Sequence, residues 1–377
     1  MCGGPSLERG ISLNSARSIL DFLENENVEI APIFFDLKKN AFQIPTAQIY
    51  SNTPADFDFN LKKVGKKLSR TALTNFLKKC DLTFPAIHGA FGEDGELQKF
   101  LQKNGINFIG ADFDCCKKSF DKFSANQILQ KNGFKTLPIA LLKIFEKKEN
   151  EKILKKFFAE NKISRAIVKP AAGGSSIGVF SVSNFRDALE KAEIIFKKRI
   201  GTRVVVEPFC DGAEFTIVVL QNRFGTPVSL IPSEIEADYE NHQIFDFRKK
   251  YLPTRQVFYH CPPRFSNEEI EKIQIRAEQI FQLFGFRDFA RFDGFVTKNG
   301  EIIFSDLNPI SGMEQNSFLF QQAARVGFSH AEVLNFIAKS AAARGKKNFP
   351  EITNLNLNST KKEIPILFGG ATSERQV

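Results

Sequence analysis

Apolar and polar positions follow two different periods along the first third of the chain. Residues 14–25 and 68–80 repeat apolar residues at helical spacing, whereas 28–35 and 82–88 are short apolar runs typical of buried strands. A further strand is predicted at 105–110, and a helix at 119–132 with Gly133 as its stop. Because strands that alternate with helices form parallel sheets, the pattern predicts an α/β domain on an open, mainly parallel sheet.

The pattern changes near residue 118. Strands are predicted at 139–142, 166–169 and 179–182, with charged helices between them, which indicates a small α+β domain. A larger α+β region begins near residue 201, with strands at 203–207, 214–220, 289–297 and 301–307 and a long helix at 267–284. The chain is therefore predicted to have three domains, at 1–117, 118–200 and 201–343.

The end of the chain repeats a pattern from its beginning. Polar residues 344–363 are typical of a linker, and 364–377 then place an apolar strand before Gly-Gly-x-x-x-Glu-Arg. The same motif occupies residues 3–9, but without that strand. We hypothesise that the first strand of the unit is missing and that 364–377 begins a second, truncated copy. The alternatives are a chance match, or a tail strand at 364–368 that takes the first position in the sheet.

Composition narrows the class of protein. The 377 residues are 42% hydrophobic and 25% charged, as in soluble globular proteins, and no apolar run approaches ~18 residues. No signal-peptide pattern is found, so a cytoplasmic protein without membrane contact is expected. The six cysteines lack a C-x-x-C pair and are predicted to be reduced thiols. The net charge of +9 is spread over segments of mixed sign, which argues against nucleic-acid binding and suits an anionic substrate such as ATP.

A glycine-rich loop points to nucleotide chemistry. Residues 167–178 read Ile-Val-Lys-Pro-Ala-Ala-Gly-Gly-Ser-Ser-Ile-Gly, so an apolar strand delivers Lys169 and then breaks into a flexible turn. The backbone N–H groups of such a loop can surround a polyphosphate. The spacing is neither that of a P-loop nor that of a dinucleotide fingerprint. Taken alone, the segment could also be an ordinary glycine-rich hairpin turn.

Two acidic strands supply candidate metal ligands. Arg291 and Asp293 lie two residues apart on one predicted strand, and Asp306 and Asn308 do the same on the next. Residues two apart share a face of a strand, so two carboxylates and an amide oxygen should converge there. These are the ligands that Mg²⁺ ions bridging ATP phosphates require. The simpler alternative is a pair of surface acids on a hairpin.

Together these motifs resemble the D-alanine–D-alanine ligase family of the ATP-grasp superfamily, over about residues 1–340. The resemblance rests on an ordered set of motifs: Gly3-Gly4-x-Ser6-x-Glu8-Arg9, Ser12-Leu-Asn-Ser15, His88-Gly-Ala-Phe-Gly-Glu-Asp-Gly95, Asp121-Lys122, Val168-Lys-Pro170, Gly174-Ser-Ser-Ile-Gly178, Glu207, Glu214-Phe-Thr216, Asp246-Phe-Arg-Lys-Lys-Tyr251, Arg291-Phe-Asp293, Asn308 and Gly312-Met313. It implies a three-domain ATP-grasp fold, with an N-terminal parallel-sheet domain, a small lid and a larger C-terminal domain.

The resemblance also implies how ATP would be held. The residues implied for phosphates, adenine and ribose are Lys122, Lys169, the loop of Gly174, Ser175, Ser176 and Gly178, then Glu207 and Phe209, and finally Glu214. The residues implied to ligate two Mg²⁺ (or Mn²⁺) ions are Asp293, Asp306 and Asn308. Arg291 and Gly312 would lie at the acyl phosphate and the tetrahedral intermediate.

For the amino-acid substrates, the resemblance implies that Glu8 receives the ammonium of the first D-alanine, with His88 close by. Ser175 and Tyr251 would complete a hydrogen-bonded set with Glu8, and Lys250 would lie on the same loop as Tyr251. Ser317 would hold the carboxylate of the second D-alanine. The implied reaction has two steps, through an acyl phosphate, and supplies peptidoglycan precursor. A homodimer, or pairing with a tandem copy, is the expected assembly.

Some positions depart from the family pattern. Asp306 stands where Glu is usual, Ala172 and Gly173 replace larger polar residues, and the residues between Asn308 and Gly312 differ from the usual order. Two other functions therefore stay open. One is a ligase with another acceptor, such as D-lactate or a different amino acid; the other is a degenerate half that binds nucleotide without turnover.

Overall fold

The computed structural model describes residues 1–25, 27–51, 53–174, 177–237, 257–347 and 349–350. The elements of the first third are β1 (Cys2–Gly3), α1 (Arg9–Leu23), β2 (Ile33–Phe35), β3 (Ala41–Gln43), a 3₁₀ helix (Thr46–Tyr50), α2 (Pro54–Val64), β4 (Lys66–Leu68), α3 (Arg70–Leu77), α4 (Glu96–Lys103), α5 (Phe113–Phe120) and α6 (Lys122–Lys131).

The N-terminal domain is α/β, as predicted, but its sheet is mixed rather than mainly parallel. β1 pairs in parallel with β2, and β3 and β4 continue the sheet as antiparallel strands. On the other side of β1, the Met1 ammonium donates to Phe84 O (2.8 Å) and Ala86 N donates to Met1 O (2.8 Å), the pattern of a parallel neighbour. Thr83 pairs in parallel with Phe108 in turn.

Three predicted strands are shorter than their apolar runs, and two of those runs contain a proline. Regular pairing in 28–35 begins only at Ile33, and 82–88 and 105–110 meet at the single bridge between Thr83 and Phe108. Pro32 and Pro85 interrupt the two runs, and proline has no N–H for a ladder hydrogen bond. Cys2–Gly3 pair with β2 as a strand of only two residues, and the hypothesis that the first strand of the unit is missing stays a prediction.

The lid is a four-stranded antiparallel sheet covered by two helices. Its elements are β5 (Ala140–Lys143), α7 (Lys147–Glu160), β6 (Ala166–Pro170), β7 (Phe180–Val182), α8 (Phe185–Lys197) and β8 (Arg203–Pro208), with strand order β5-β8-β6-β7. Leu142, Val168 and Val206 pack against Leu154 of α7 and Ala192 of α8.

The position of β8 corrects the predicted division at residue 200. The sequence pattern assigned 203–207 to the C-terminal domain, but β8 lies between β5 and β6 in the lid sheet. An apolar run such as Val204-Val-Val206 predicts a buried strand without indicating which neighbours it will pair with. The lid therefore extends at least to Pro208.

The C-terminal domain is built on a six-stranded antiparallel sheet. Its elements are β9 (Gly212–Gln221), β10 (Pro227–Ser229), β11 (Ser233–Ala237), β12 (Val257–His260), α9 (Asn267–Phe284), β13 (Phe289–Thr297), β14 (Ile302–Asn308), α10 (Phe318–Arg325) and α11 (His330–Arg344), in strand order β12-β11-β9-β13-β14, with β10 also paired to β9. The predicted bounds of α9 and β13 are both confirmed.

Helices cover both faces of this sheet. Phe215 and Ile217 of β9 pack with Phe281 of α9, whereas Val218 and Leu220 face the opposite way, toward Ile337 and its neighbours in α11. Helix α9 is bounded by local signals: Ser266 forms a capping box with Glu269, and Gly285 takes the left-handed conformation (φ 77°) at the other end.

One buried carboxylate joins the N-terminal and C-terminal domains. Asp288 is 0% exposed, accepts a hydrogen bond from Gly110 N (2.7 Å) and pairs with Arg344. Burial raises the pKa of Asp288 even though Arg344 opposes that change. No helix in the described ranges is long and apolar enough to cross a membrane, and all six cysteines are free thiols.

Candidate active site

The floor of the site is the pair of strands β13 and β14. Asp293 lies directly opposite Asp306 in the antiparallel register, and Arg291 lies opposite Asn308. Directly opposite residues in an antiparallel pair carry their side chains on the same face. The predicted convergence of these four side chains is therefore present in the structure.

Asp293 accepts hydrogen bonds from three neighbouring side chains of the sheet. Thr216 on β9 donates from its hydroxyl to Asp293 Oδ1 (2.6 Å). Arg291 donates to both carboxylate oxygens (3.1 Å each), and Asn308 Nδ2 donates to Oδ2 (3.1 Å). Bonds from three neighbours fix the orientation of the carboxylate before any ligand arrives.

Lys169 forms the roof of the cleft. It lies on β6, only 8% exposed, and its Nζ is 2.8 Å from Oε2 of Glu207 on the neighbouring strand β8. Burial alone would lower the pKa of Lys169, but the negative charges of Glu207, Asp306 and Glu214 outweigh burial, so its pKa is raised. Lys169 therefore stays charged at every working pH.

Lys122 connects the floor with the glycine-rich loop. It is the first residue of α6, where the Asp121 side chain caps the helix by accepting from Ser124 N. Lys122 Nζ lies 3.0 Å from Asp306 Oδ1 and donates to the carbonyl oxygen of Gly173 (2.8 Å). Lys122 and Lys169 are thus both electrostatic neighbours of Asp306.

The donor set fits a divalent cation shared with a phosphate. Asp293, Asp306 and Asn308 offer carboxylate and amide oxygens, the hard ligands that Mg²⁺ takes, and Mg²⁺ usually needs only one or two protein carboxylates besides substrate phosphates. Within the described ranges, no cluster of three or more His, Cys, Asp or Glu residues could hold a metal by itself. The geometry suits a cation that phosphate oxygens help to hold.

Glu8 lies where the N-terminal domain meets the glycine-rich loop. It directly precedes α1 and is only 9% exposed. A Cβ added to Gly89 would clash with the Glu8 carboxylate, and one added to Gly174 would lie 3.0 Å from Glu8 Oε1. Gly89 also has a φ of 73°, so glycine serves there both for backbone conformation and for space.

His88 belongs to a buried hydrogen-bonded chain that spans two domains. His88 Nε2 is 3.1 Å from Ser15 Oγ, and Met313 N donates to that same hydroxyl oxygen (3.2 Å). Nδ1 of His88 lies 3.6 Å from Glu93 Oε1. This chain runs from Glu93 to the segment after Gly312, and it places His88 beside both the N-terminal and the C-terminal walls of the cleft.

The environment of His88 favours its charged form. Burial would lower the pKa of His88, but the hydrogen bond and charge of Glu93, with the charges of Glu314 and Glu8, raise it above the usual 6.5. Protonated His88 therefore stabilises the fold in full below about pH 6.5, and that stability is lost as the pH rises through the folded-state pKa.

This titration predicts a pH-dependent stability. We expect the free energy of unfolding of the wild-type protein to fall relative to that of His88→Gln as the pH rises above about 6.5, because the unfolded wild type then releases a proton that His88 still holds in the folded state. Urea unfolding of both proteins across a pH series measures the difference. Identical pH dependence in the two proteins would show that His88 does not carry this charge.

Ser317 offers an unused hydroxyl at a helix start. It lies at the N-cap of α10, yet its side chain caps no backbone N–H. In the described part of the chain, its buried hydroxyl oxygen has no hydrogen-bond partner. A hydroxyl beside free N–H groups at the positive end of a helix suits a carboxylate.

Most of the chain matches models of a known protein family. Residues 1–111 match the family model described as "D-ala D-ala ligase N-terminus", and residues 128–339 match the one described as "D-ala D-ala ligase C-terminus". The chain belongs to the D-alanine–D-alanine ligase family. As a ligase of this family, it uses ATP and a divalent metal.

Individual relatives cover nearly the whole chain. A D-alanine–D-alanine ligase of Corynebacterium aurimucosum is 28% identical over 355 residues, covering 91% of this chain and 96% of the relative. Among solved structures, the VanG D-Ala:D-Ser ligase of Enterococcus faecalis is 26% identical, with a TM-score of 0.76, and covers 90% and 97% of the two chains. The D-alanine–D-alanine ligase of Coxiella burnetii has the same TM-score at 23% identity, covers 92% and 94%, and supports the fold alone.

The remaining predicted residues of the ligase lie at the rim of the cleft or outside the described residues. Gly178 packs against Pro170 at the base of the loop, and Gly312 lies beside the Glu314 carboxylate. Phe209 follows β8 and donates its backbone N–H to Arg165 O (2.8 Å). Four predicted residues lie outside the described residues: Ser175, Ser176, Lys250 and Tyr251.

The structure adds neighbours of the site that none of the sequence motifs above assigns to a ligand. Thr216 and Glu93 could have been assigned, since Thr216 shares a strand face with Glu214 and Glu93 follows His88 in the same motif. Ser15 could not have been assigned from the sequence, because its partners His88 and Met313 come from distant segments. Arg165 stacks its guanidinium 3.7 Å above the Phe209 ring, a contact that no local pattern indicates.

Proposed function

We propose that this chain joins two molecules of D-alanine into D-alanyl-D-alanine, with ATP converted to ADP and phosphate, in cytoplasmic synthesis of the peptidoglycan precursor. The observation that carries the proposal is the cleft itself. Lys169 of the lid and Lys122 of α6 both face Asp306, which lies opposite Asp293 on the floor. Cations above and paired carboxylates below suit a triphosphate held with metal ions.

ATP would lie between lid and floor. Lys122 and Lys169 would contact its phosphates, the loop of Gly174, Ser175, Ser176 and Gly178 would cover them, and Glu207, Phe209 and Glu214 would hold the nucleoside. Two Mg²⁺ or Mn²⁺ ions, bound through Asp293, Asp306 and Asn308, would supply charge neutralisation at the transferred phosphate. Asp306 is one methylene shorter than the Glu usual in the family, and Lys122 is already within 3.0 Å of it.

The first D-alanine would be oriented from the N-terminal wall. Glu8 is a buried carboxylate that suits an ammonium group, and the charged His88 nearby suits a carboxylate. Held in this way, the substrate carboxylate can attack the γ-phosphate and form an acyl phosphate. Arg291, which already donates to Asp293, would support the charge that passes to the transferred group.

The second D-alanine would be placed by the C-terminal wall. The Ser317 hydroxyl, which has no hydrogen-bond partner among the described residues, would bind the carboxylate of this second D-alanine. The amine of the second D-alanine, once neutral, attacks the acyl carbonyl with loss of phosphate. Gly312 would lie at the resulting tetrahedral centre. Since an acyl phosphate hydrolyses readily, Ser175, Lys250 and Tyr251 would complete the closure that excludes water. Assembly as a homodimer, or beside a tandem copy, stays a prediction.

Incubation with Mg-ATP and D-alanine tests this function. We expect the dipeptide to be detected by mass spectrometry and ADP to accumulate only when D-alanine is present. ADP release that is equal without any amino acid, or no ADP at all, would reject ligation and favour a protein that only binds nucleotide.

The acceptor needs its own assay, because one similar structure is titled a D-Ala:D-Ser ligase. D-Alanine supplied together with D-serine or D-lactate should still give mainly D-alanyl-D-alanine. A mixed dipeptide or a depsipeptide as the main product would instead assign the chain to a different acceptor.

A further inference from the structure

A large apolar cavity lies at the amino-terminal end of β1, away from the candidate active site. Its volume is about 580 Å³, and its lining includes Leu20, Ile30, Phe76, Leu82 and Ile109. That volume lies within the range of pockets that hold sizeable ligands, ~300–1,000 Å³. The proposed reaction uses none of these residues.

The cavity lies where a further stretch of strand would fit in the N-terminal sheet. β1 pairs with β2 on one side and with residues 84–86 on the other, and Cys2 lies opposite Phe34. Continued backward from Met1, the same row would run between residues 28–32 and 82–84. Both of these segments line the cavity. Its shape and position therefore suit extended chain.

A strand in that row would be buried on both faces, so it should be a continuous apolar run rather than an alternating one. Outside the described residues, the tail contains one such run, Ile364-Pro-Ile-Leu-Phe368. The stretch 352–358, in contrast, places asparagines between its leucines. Pro365 stands near the start of the run, where a missing N–H is best tolerated.

The tail can reach the cavity. Phe349 and Pro350, the last described residues, are themselves part of its lining. Thirteen residues, 351–363, then precede Ile364, and at ~3.3–3.6 Å per extended residue this linker can span up to about 45 Å. Gly369 and Gly370 follow the run and allow a sharp turn where Met1 already occupies the row.

We propose that residues 364–368 of the chain's own tail occupy this cavity as an added strand. Main-chain hydrogen bonds to the neighbouring segments would hold it, as in other cases of strand addition to a sheet, and its side chains would fill the apolar space. The tether raises the local concentration of this segment, which favours the chain's own tail over that of a second copy.

Disulfide trapping tests the proposal in the 377-residue chain, because Cys2 and Cys80 both line the cavity. Burial raises the pKa of Cys2 to about 11 and also raises that of Cys80, so oxidised glutathione is applied at alkaline pH. Ile366→Cys is compared with Leu357→Cys, a matched change in the alternating stretch of the same tail. Peptide mass mapping then identifies the disulfides.

We expect Ile366→Cys to form an intrachain disulfide with Cys80 or Cys2 about tenfold or more faster than Leu357→Cys does. No disulfide from position 366, or equal rates for the two variants, would overturn the proposal. Disulfide-linked dimers as the main product would overturn it as well, because they would assign the cavity to the tail of a second copy.

A stability measurement gives an independent result. Ile366→Asp should lower the thermal unfolding midpoint by at least about 2 °C and increase hydrogen exchange in residues 82–84, because an unpaired charge is costly in an apolar cavity. Leu357→Asp should change neither quantity. Equal behaviour of the two variants would contradict occupation of the cavity by 364–368.

Discussion

Replacing Lys169 with methionine should reduce dipeptide formation by about 10²–10³-fold or more, the typical effect of removing one preorganised charge from a reaction centre. The side chain is buried, its raised pKa keeps it charged, and it faces both Glu207 and Asp306. Methionine preserves the apolar stem and removes only the ammonium. Initial rates with Mg-ATP and D-alanine give the effect.

The matched control for this change is Lys156→Met. Lys156 lies on α7 of the same lid domain, with 73% of its side chain exposed. It should retain wild-type activity, and urea unfolding of both variants shows whether either has lost stability. A folded Lys169→Met protein with undiminished dipeptide yield would remove Lys169 from the site.

Replacing Asp293 with asparagine should cause a loss of similar size, about 10²–10³-fold in rate. The change keeps the shape of the side chain but removes the negative charge that faces Arg291 and that lies opposite Asp306. We also expect a higher concentration of Mg²⁺ for half-maximal activity, because a carboxylate ligand has been lost. Titration of the rate with Mg²⁺ measures both effects.

Asp211→Asn is the control for this second variant. Asp211 is exposed, pairs with Lys298 and lies immediately before β9. The Asp211→Asn change therefore removes the same charge, but at a solvated position. Its rate and its Mg²⁺ requirement should match those of the wild type. If Asp293→Asn behaved in the same way, the assignment of the metal site to β13 and β14 would be wrong.

Much of the fold could be predicted because local signals agree with the burial pattern. Helix α9 begins at a capping box and ends at a left-handed Gly285, and both signals are visible in the sequence. The neighbours of β8 could not be predicted in this way. Strand pairing depends on contacts between distant segments, and a valine run fits the lid sheet as well as the C-terminal one.

The same distinction applies to the candidate active site, where some contacts could be predicted from the sequence and others could not. Asp293 and Asp306 could be placed together because period-two spacing and one hairpin determine their face. The contact of Ser15 with both His88 and Met313, and the approach of Glu8 to Gly174, depend on how whole domains pack. No spacing along the chain contains that information.

The proposed reaction depends on a triphosphate that lies between Lys169 and Lys122 above and the Asp293–Asp306 pair below. A crystal structure of the protein with Mg²⁺ and a non-hydrolysable ATP analogue tests it most directly. We expect phosphate oxygens within hydrogen-bond distance of both lysine ammoniums, and metal ions between the phosphates and the two aspartates. A nucleotide bound elsewhere, or aspartates turned away from its phosphates, would contradict it.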